Sequence, residues 1–271
     1  METKHLPLGK TVTYSTMYDP RLLCPVERGP AREQIGLREE LPFYGEDRWT
    51  AYELSWLDQK GKPVVAVGEI IFPCTAPRII ESKSLKLYCN SFNQTQFEST
   101  ELVGKTMTED LSQMAGEQVG VHLILPRDFG QLQIANPEGE CIDGLDIDVV
   151  HYQAHPDLLK TGVEIVDQSL HSHLLRTNCP VTGQPDWATV VIKYHGQEIL
   201  KENLLAYLVS YRQHTGFHEN CVESIFTDIM YHCKPYRLMV YARFTRRGGI
   251  DINPYRSTEH EVVKVDRLAR Q

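Results

Sequence analysis

The 271-residue sequence lacks any run of about 18 apolar residues, the length that a membrane-spanning helix needs. Its first residues, Met-Glu-Thr-Lys-His-Leu-Pro, lack the apolar core of a secretory signal. It also lacks a basic excess, because 28 Lys and Arg face 36 Asp and Glu and the net charge is −8. We therefore expect a cytoplasmic protein that makes no direct contact with nucleic acid or membrane.

Two common sequence motifs are missing as well. No Cys-x-x-Cys pair occurs among the seven cysteines, and their odd number favours free thiols in a reducing compartment over a disulfide framework. No Gly-x-Gly-x-x-Gly follows a strand-like run, so a Rossmann-type dinucleotide site is not predicted. The cysteines are Cys24, Cys74, Cys89, Cys141, Cys179, Cys221 and Cys233.

What is present is the composition of a globular protein, with 41% hydrophobic and 24% charged residues. Apolar periodicity predicts two strands, two helices and a strand in the first half, and a similar order in the second. That order favours α+β domains with antiparallel sheets, after an irregular first 45 residues. The predicted ranges are Ala51–Leu57, Pro63–Phe72, a helix from about Ser82, Thr106–Ala115, Val119–Leu125, Ala188–Tyr194, Leu200–Tyr211, Val222–Cys233 and Arg237–Thr245.

Short internal matches indicate a duplication. Ser91-Phe-Asn-Gln matches Ser210-Tyr-Arg-Gln, 119 residues later (210 minus 91), and Cys-Pro-Val occurs at residues 24–26 and 179–181. We place the boundary inside the stretch 126–148, which is rich in Gly, Pro and acidic residues. This predicts two domains, residues 1–140 and residues 141–271.

Residues 177–186, Thr-Asn-Cys-Pro-Val-Thr-Gly-Gln-Pro-Asp, hold a thiol and a carboxyl group at close spacing. A thiolate with a nearby acid can add sulfur to an electrophilic carbon and protonate the atom that receives the charge. These two groups belong to Cys179 and Asp186. A turn that presents the thiol instead of packing it is predicted by Pro180, Gly183 and Pro185.

The two halves differ at this point, because Cys24 has Ala31 seven residues later, where Cys179 has Asp186. If both halves derive from one ancestor, only the second keeps a thiol and an acid together. Cys179 is therefore the candidate nucleophile, and the other cysteines are expected to be packed or idle. The alternative is that Cys179 is simply a small apolar residue in a turn.

Residues 81–88, Glu-Ser-Lys-Ser-Leu-Lys-Leu-Tyr, place two lysines in the first turns of a predicted helix that Ser82 or Ser84 would cap. Cations at a helix start interact unfavourably with the helix dipole, and a bound anion would make the charge at this helix start favourable. Arg247-Gly248, after the last predicted strand, is a second candidate for binding phosphate. The alternatives are a solvated basic face and a plain hairpin turn.

His218-Glu219 lies where the last long helix is predicted to begin. Glu219 either complements the helix dipole or accepts two N–H bonds from a guanine-like edge, and His218 adds a group that titrates near neutrality. A zinc site built from His171, His173 and Cys179 is also conceivable. We predict no metal, because His-x-His is common in strands and a ligated thiolate would be a poor nucleophile.

Taken together, these residues resemble the NADPH-dependent 7-cyano-7-deazaguanine reductases, the nitrile reductases of queuosine biosynthesis, in their long two-module form. The resemblance covers essentially the whole chain. Its most specific element is the run 81–88, and Asn178-Cys-Pro-Val-Thr, Asp186 and Phe217-His-Glu are further matches. It implies an α+β protein of two tandem tunnelling-fold (T-fold) modules, each an antiparallel sheet with helices layered on one side, assembled at least as a homodimer.

The resemblance also implies roles for single residues. Cys179 would form a covalent thioimide with the nitrile carbon of 7-cyano-7-deazaguanine while Asp186 protonates the nitrogen. Two molecules of NADPH would then supply the hydrides that lead to 7-aminomethyl-7-deazaguanine. The implied substrate-binding residues are Ile80, Glu81, Ser82, His218 and Glu219, and the implied NADPH-binding residues are Ser82, Lys83, Arg247 and Gly248.

Three other functions remain open from the sequence. One is a zinc-dependent T-fold cyclohydrolase that acts on a purine-like ring. Another is a cysteine hydrolase of amides or nitriles, which would form the same thioimide and finish with water. The third is a purine-binding module in which Cys179 has no chemical role.

Overall fold

The computed structural model describes residues 14–38, 40–260 and 266–271. Within those ranges it contains five α-helices and twelve β-strands. The helices are α1 (Gly29–Gln34), α2 (Ser82–Ser91), α3 (Thr100–Ala115), α4 (Lys201–Ser210) and α5 (His218–His232). The strands are β1 (Pro25–Glu27), β2 (Tyr44–Leu57), β3 (Pro63–Pro73), β4 (Arg78–Ile80), β5 (Gly120–Ile124), β6 (Ile134–Ala135), β7 (Glu140–Cys141), β8 (Thr161–Asn178), β9 (Pro185–Ile199), β10 (Arg237–Phe244), β11 (Ile250–Ser257) and β12 (Arg267–Leu268).

The chain forms two compact units. The described residues of unit 1 lie within Met1–Gln34, Glu46–Gln133 and Arg246–Ile252, and those of unit 2 within Ile35–Gly45, Ile134–Thr245 and Asn253–Gln271. Each unit therefore takes in segments from both halves of the sequence. The division into domains at residue 140 stays a prediction.

Unit 1 is built on an antiparallel sheet in the order β5-β3-β2. The residues of β2 and β3 alternate in burial over much of their length, as expected for strands with one covered face. Helix α3 packs against β5 and β4. It begins at the N-cap Ser99, whose side chain accepts the Leu102 N–H, and ends at Gly116 with a φ of 83°. The core includes Trp49, Trp56, Phe72, Tyr88 and Met107.

Unit 2 contains the antiparallel strand order β11-β10-β9-β8, with the two-residue strand β7 parallel to β8 at the edge. Strands β8 and β9 are long and form a hairpin whose last pair before the turn is Asn178 with Pro185. Helix α4 packs against β8, and helix α5 packs against β10. This arrangement brings the start of α5 to the hairpin turn, as the backbone contacts below show.

Each unit contains the same kind of polar contact between its own pair of helices. In unit 1 the Tyr88 hydroxyl on α2 donates to Asp110 Oδ2 on α3 at 2.6 Å. In unit 2 the Tyr207 hydroxyl on α4 donates to Asp228 Oδ2 on α5 at 2.6 Å. The serine three residues after each tyrosine, which the internal match aligns, donates to the tyrosine carbonyl oxygen at 2.6 Å in both units. This repeated contact is consistent with a duplication.

The predicted α+β class is confirmed, and every predicted strand and helix overlaps an observed one. Two long strands were missed, β8 and β11. The expectation of irregular structure through residue 45 is wrong in part, because β1, α1 and the start of β2 lie there. All seven cysteines are free, as predicted. Among the described residues, no helix is both long and apolar enough to cross a membrane.

Candidate active site

Cys179 follows β8 directly and lies in the turn of the β8–β9 hairpin. The Cys179 N–H donates to the Gln184 carbonyl at 2.8 Å, and the Gly183 N–H donates to the Cys179 carbonyl at 3.0 Å. Gly183 has a φ of 67°, which only glycine adopts without strain. The predicted turn is confirmed. The prediction that the turn presents the thiol is wrong, because these two bonds continue the hairpin over Cys179 and leave the residue only 7% exposed.

Asp186 lies on β9 opposite Thr177 of β8. Pro185 is the first residue of β9, a position where a strand tolerates proline, so Asp186 belongs to the strand. Because Thr177 precedes Cys179 by two residues, Cys179 and Asp186 are diagonal neighbours across the hairpin. Cβ atoms in that relation lie roughly 7–8 Å apart. Asp186 is 4% exposed, so the acid is buried beside a buried thiol.

The start of α5 is tied to the same hairpin. The Asn178 N–H donates to the His214 carbonyl at 2.8 Å, and the Gly216 N–H donates to the Asn178 carbonyl at 3.2 Å. Helix α5 then begins at His218, as predicted, and His218 Nε2 lies 3.5 Å from Asp186 Oδ2. Glu219 follows in the first helical turn and is buried. The four residues predicted from the second half therefore come together in unit 2.

Burial shifts the pKa values of two groups close to this hairpin, Cys221 and His214. Cys221, on α5, is fully buried, and burial raises the pKa of its thiol well above the ordinary value, with a further rise from the Asp186 charge. Burial lowers the pKa of His214. Cys221 is therefore a protonated thiol at neutral pH, and His214 is a neutral ring that offers the hairpin no positive charge.

In unit 1 the residue that caps α2 is Glu81. Its Oε1 accepts the Lys83 N–H at 2.9 Å and its Oε2 accepts the Ser84 N–H at 2.8 Å. The prediction of Ser82 or Ser84 as the N-cap is wrong, because Ser82 is the first helical residue and Ser84 Oγ donates to the Glu81 carbonyl at 2.7 Å. The carboxylate supplies the negative charge at this helix end. A bound anion is thus not required to explain the two lysines.

Burial is the largest influence on the Glu81 carboxyl and raises its pKa, although the bonds from the Lys83 and Ser84 amides act in the opposite direction. Glu81 is 1% exposed. The side chain of the preceding residue, Ile80, belongs to the hydrophobic core of unit 1. Both residues are therefore covered in this structure.

Cys24, which the repeated Cys-Pro-Val run aligns with Cys179, lies against the same helix start. Its N–H donates to Ser84 Oγ at 3.0 Å, and its carbonyl accepts the Glu81 N–H at 2.9 Å. Burial raises the pKa of the Cys24 thiol, and the Glu81 charge raises it further. A thiol in this position carries little thiolate at neutral pH. This supports the choice of Cys179 over Cys24.

Arg247, Gly248, Gly249 and Ile250 form a tight turn. The Arg247 N–H donates to the Ile250 carbonyl at 3.0 Å, and the two glycines have φ values of 61° and 78°. Positive φ at both central positions is the type I′ geometry that favours glycine. A Cβ on Gly248 would lie 2.7 Å from Lys86 Nζ of α2, so the missing side chain allows close approach. The hairpin alternative is thus observed, although a turn of this kind can still bind a ligand.

A cavity of about 100 Å³ lies in unit 1 beside this turn. Lys86 and Asn90 line it from α2, Asn93 lines it from the turn after that helix, and Glu53 lines it from β2. Lys86 Nζ is 3.9 Å from Glu53 Oε2. No role was predicted for the two asparagines or for Glu53. The signal that could have indicated them is the i, i+4 spacing of Lys86 and Asn90, which places both side chains on one face of α2.

The structure distributes the predicted site residues over both units. Unit 2 holds Cys179, Asp186, His218 and Glu219, and unit 1 holds Ile80, Glu81, Ser82, Lys83, Arg247 and Gly248. In unit 1 the first four of these residues are consecutive at the start of α2.

Comparison with known proteins identifies the class. A family model described as "Nitrile reductase, 7-cyano-7-deazaguanine-reductase N-term" matches residues 14–123, and one described as "QueF-like protein" matches residues 185–262. The second match contains Asp186, His218 and Glu219. The α+β fold and the thiol–acid pair agree with a nitrile reductase.

Relatives that match over nearly the full length of the chain identify the family. The NADPH-dependent 7-cyano-7-deazaguanine reductase of Desulfotalea psychrophila is 58% identical over 98% of this chain and 97% of its own length. Proteins of the same name from Chromohalobacter salexigens and Burkholderia ambifaria are 52% and 50% identical, over 99% and 100% of this chain and 97% and 100% of their own lengths. The chain belongs to the family of NADPH-dependent 7-cyano-7-deazaguanine reductases.

A solved structure, the archaeosine synthase QueF-Like in the apo form, covers 35% of this chain and 94% of its own. Its TM-score is 0.30 and its sequence identity is 15%. This similarity is too low to carry an argument.

Proposed function

We propose that this chain reduces the nitrile of 7-cyano-7-deazaguanine to the aminomethyl group with NADPH, the reaction that supplies queuosine biosynthesis. The observation that carries the proposal is the diagonal placement of Cys179 and Asp186 on one hairpin, with His218 next to the acid. A nitrile carbon is electrophilic, and its nitrogen must take up a proton when a nucleophile adds. A thiol and a buried acid at that spacing suit both requirements.

The first step is the addition of the Cys179 sulfur to the nitrile carbon. A C–S bond forms as the S–H bond breaks, one π bond of the nitrile breaks, and its electron pair goes to nitrogen, which takes up the thiol proton relayed through Asp186. The product is a thioimide on Cys179. His218 Nε2 lies 3.5 Å from Asp186 Oδ2 without a hydrogen bond, so the ring must move slightly closer before it can pass a proton to Asp186 and restore the acid for the next step.

The complete conversion takes up two hydrides and two protons, because the triple bond becomes a single bond. NADPH, when bound, supplies the hydrides. Cys179 leaves as a thiolate after the thioimide is reduced, which gives an imine. Asp186 and His218 are placed to supply the protons, and the buried hairpin keeps water from hydrolysing the thioimide and the imine.

The chemistry of the unit 1 residues fits a phosphorylated cofactor. The turn at Gly248 has no side chain to block a close approach, and Lys86 Nζ lies directly beside it. Lys83 and Arg247 add positive charge, Ser82 adds a hydroxyl group, and the cavity offers the amides of Asn90 and Asn93. We propose that Ser82, Lys83, Arg247 and Gly248 bind NADPH.

We propose that Glu219 reads the base of the substrate and that His218 lies beside it. A buried carboxylate can accept two parallel N–H bonds from a guanine-like edge, which excludes bases without those donors. Glu81 and Ser82 are the proposed contacts from unit 1. Ile80 can contribute only its backbone without repacking, because its side chain lies in the core of unit 1.

We further propose that the two-module T-fold architecture and the homodimer hold for this chain, with modules at residues 1–140 and 141–271. The repeated strand and helix order and the repeated Tyr–Asp contact between helix pairs support the duplication. Light scattering on the purified chain tests the dimer directly.

The test of this function is the stoichiometry of the reaction. With limiting 7-cyano-7-deazaguanine and excess NADPH, we expect about two NADPH oxidised for each aminomethyl product, measured by absorbance and by mass spectrometry. A cysteine hydrolase would give an amide or acid and oxidise no NADPH. A cyclohydrolase would need zinc, so activity that is lost to a chelator and restored by zinc would contradict the proposal.

A further inference from the structure

A short edge segment of unit 2 is held tightly against β8. Gly139 has a φ of 81°, and a Cβ there would lie 2.0 Å from the Ser169 carbonyl oxygen, so only glycine allows this approach. The neighbours are anchored by ion pairs, Glu138 with Lys193 and Glu140 with Lys201, each at 2.7 Å. This contact fixes the position of the next residue, Cys141.

Cys141 comes to lie beside two histidines of β8. It is in register with His171, and His173 follows two residues later. The Cys141 sulfur and one ring nitrogen of each histidine all lie within 4.8 Å of one another. Cys141 is exposed and His171 is 8% exposed. The zinc set weighed from the sequence combined the histidines with Cys179, but the structure brings Cys141 to them.

Hydrogen bonds orient both rings. His171 Nδ1 lies 3.0 Å from the Glu138 carbonyl, and because a carbonyl only accepts, Nδ1 carries the hydrogen and Nε2 keeps its lone pair. His173 Nδ1 lies 2.9 Å from Oγ1 of the buried Thr189. The backbone N–H of His173 donates to Asp143 Oδ2 at 3.0 Å. Metal-binding histidines are oriented by such partners on the second ring nitrogen.

We infer that Cys141, His171 and His173 bind a divalent ion of the zinc type. A thiolate and two imidazoles are the ligand set that zinc prefers over magnesium or calcium, with a fourth position left for water. Zinc–ligand bonds of about 2.0–2.3 Å require the three atoms to approach one another by roughly 1 Å. Cys141 can make this movement because its side chain is exposed on a two-residue edge strand. Binding releases the thiol proton to solvent.

This site is separate from the proposed nucleophile. His173 lies on β8 and Cys179 directly follows that strand, six residues later. Since a strand rises about 3.3 Å per residue, the two are separated by roughly 20 Å. The ion would therefore link β7 to β8 without contacting the reacting sulfur. Its role would be to hold the edge segment that joins the two halves of the sequence.

The test is metal titration of the full-length, chelator-treated and reduced protein. We expect one Co²⁺ or Zn²⁺ per chain by elemental analysis, with a thiolate-to-cobalt charge-transfer band in the Co²⁺ form. Cys141→Ser should abolish that band, and Cys141→Ser and His173→Gln should each weaken binding at least tenfold. His122→Gln, which changes an exposed histidine of β5 in unit 1, and Cys179→Ser should leave binding unchanged.

Thermal unfolding gives a second readout, because a ligand that binds only the folded state raises Tm. Zinc should raise the Tm of the wild type and leave that of Cys141→Ser unchanged, and this comparison is sufficient if His173→Gln does not fold. Substoichiometric binding, a cobalt spectrum without the thiolate band, or binding that survives Cys141→Ser would contradict the site. Loss of binding in Cys179→Ser would place the ion at the catalytic thiol and contradict it too.

Discussion

Cys24 and Cys179, which the repeated Cys-Pro-Val run aligns, have neighbours of different chemistry. Beside Cys24, Glu81 is held by two backbone N–H bonds at a helix start, where the carboxylate acts as an acceptor. Beside Cys179, Asp186 lies near His218, a group that can exchange protons. We propose that the surroundings of Cys179 keep a proton donor and that those of Cys24 keep only the structural carboxylate of Glu81.

Replacement of Asp186 tests its role as the acid. Asp186→Asn keeps the shape of the side chain but cannot release a proton to the nitrile nitrogen. We expect the rate of thioimide formation to fall roughly 100- to 10,000-fold, the usual contribution of a general acid, while the dissociation constant of the substrate changes little. Rapid-quench mass spectrometry and calorimetry measure the two quantities.

The matched control is Asp167→Asn, on the exposed part of β8, which should react at the wild-type rate. An Asp186→Asn variant that forms the thioimide as fast as the wild type would show that the proton comes from another group.

At the scale of secondary-structure elements, local patterns predicted some elements and could not predict others. Strand β3 was found because its Val-Val-Ala-Val and Ile-Ile-Phe runs are typical of a covered strand. Strand β11 was missed because Asp251, Asn253 and Arg256 read as a polar loop, yet the whole strand is buried. Each of these side chains hydrogen-bonds to a residue that is distant in sequence: Asp251 to Tyr52, Asn253 to Gln271 and Arg256 to Glu223.

Local sequence patterns likewise predicted some site residues and not others. The start of α5 at His218 and the turn at Cys179 were predicted, because breaker residues and apolar spacing are local signals. The Glu81 cap was missed because glutamate is not among the preferred N-cap residues. The grouping of Cys141 with His171 depends on strand register, which no local pattern encodes.

The contact between α4 and α5 yields a prediction on pH. Burial raises the pKa of Asp228 above its ordinary value of 3.8, although hydrogen bonds from Tyr207 and Tyr211 lower it. The folded state therefore binds the proton more tightly, and this contribution to stability is present below pH 3.8 and is lost as pH rises through the folded-state pKa. Tyr207→Phe removes a donor to the ionised carboxylate. It should lower the free energy of unfolding by about 1–2 kcal/mol at neutral pH and by less near pH 4.

Chemical denaturation at the two pH values measures this difference. Tyr194→Phe is the matched control, because Tyr194 is a buried tyrosine whose hydroxyl donates to the Gln168 side chain and not to a carboxylate. Its cost should not depend on pH in this range. An equal cost of Tyr207→Phe at both pH values would contradict the assignment.

On the scale of the whole molecule, two units with separate cores carry different parts of the proposed chemistry. Unit 2 holds Cys179, Asp186 and the carboxylate proposed to bind the base, Glu219, whereas unit 1 holds the cationic helix start and the glycine turn. The proposed duplication would account for this division, because one copy of a Cys–Asp pair can be lost when the other copy keeps it.

The most direct test of the account is the intact mass of the protein after mixing with 7-cyano-7-deazaguanine in the absence of NADPH. We predict a mass increase of one substrate per chain, mapped by peptide analysis to Cys179, present in Cys24→Ala and absent in Cys179→Ala. Circular dichroism should show that both variants remain folded. An adduct on any other cysteine, or an adduct that persists in Cys179→Ala, would contradict the central claim that Cys179 is the nucleophile.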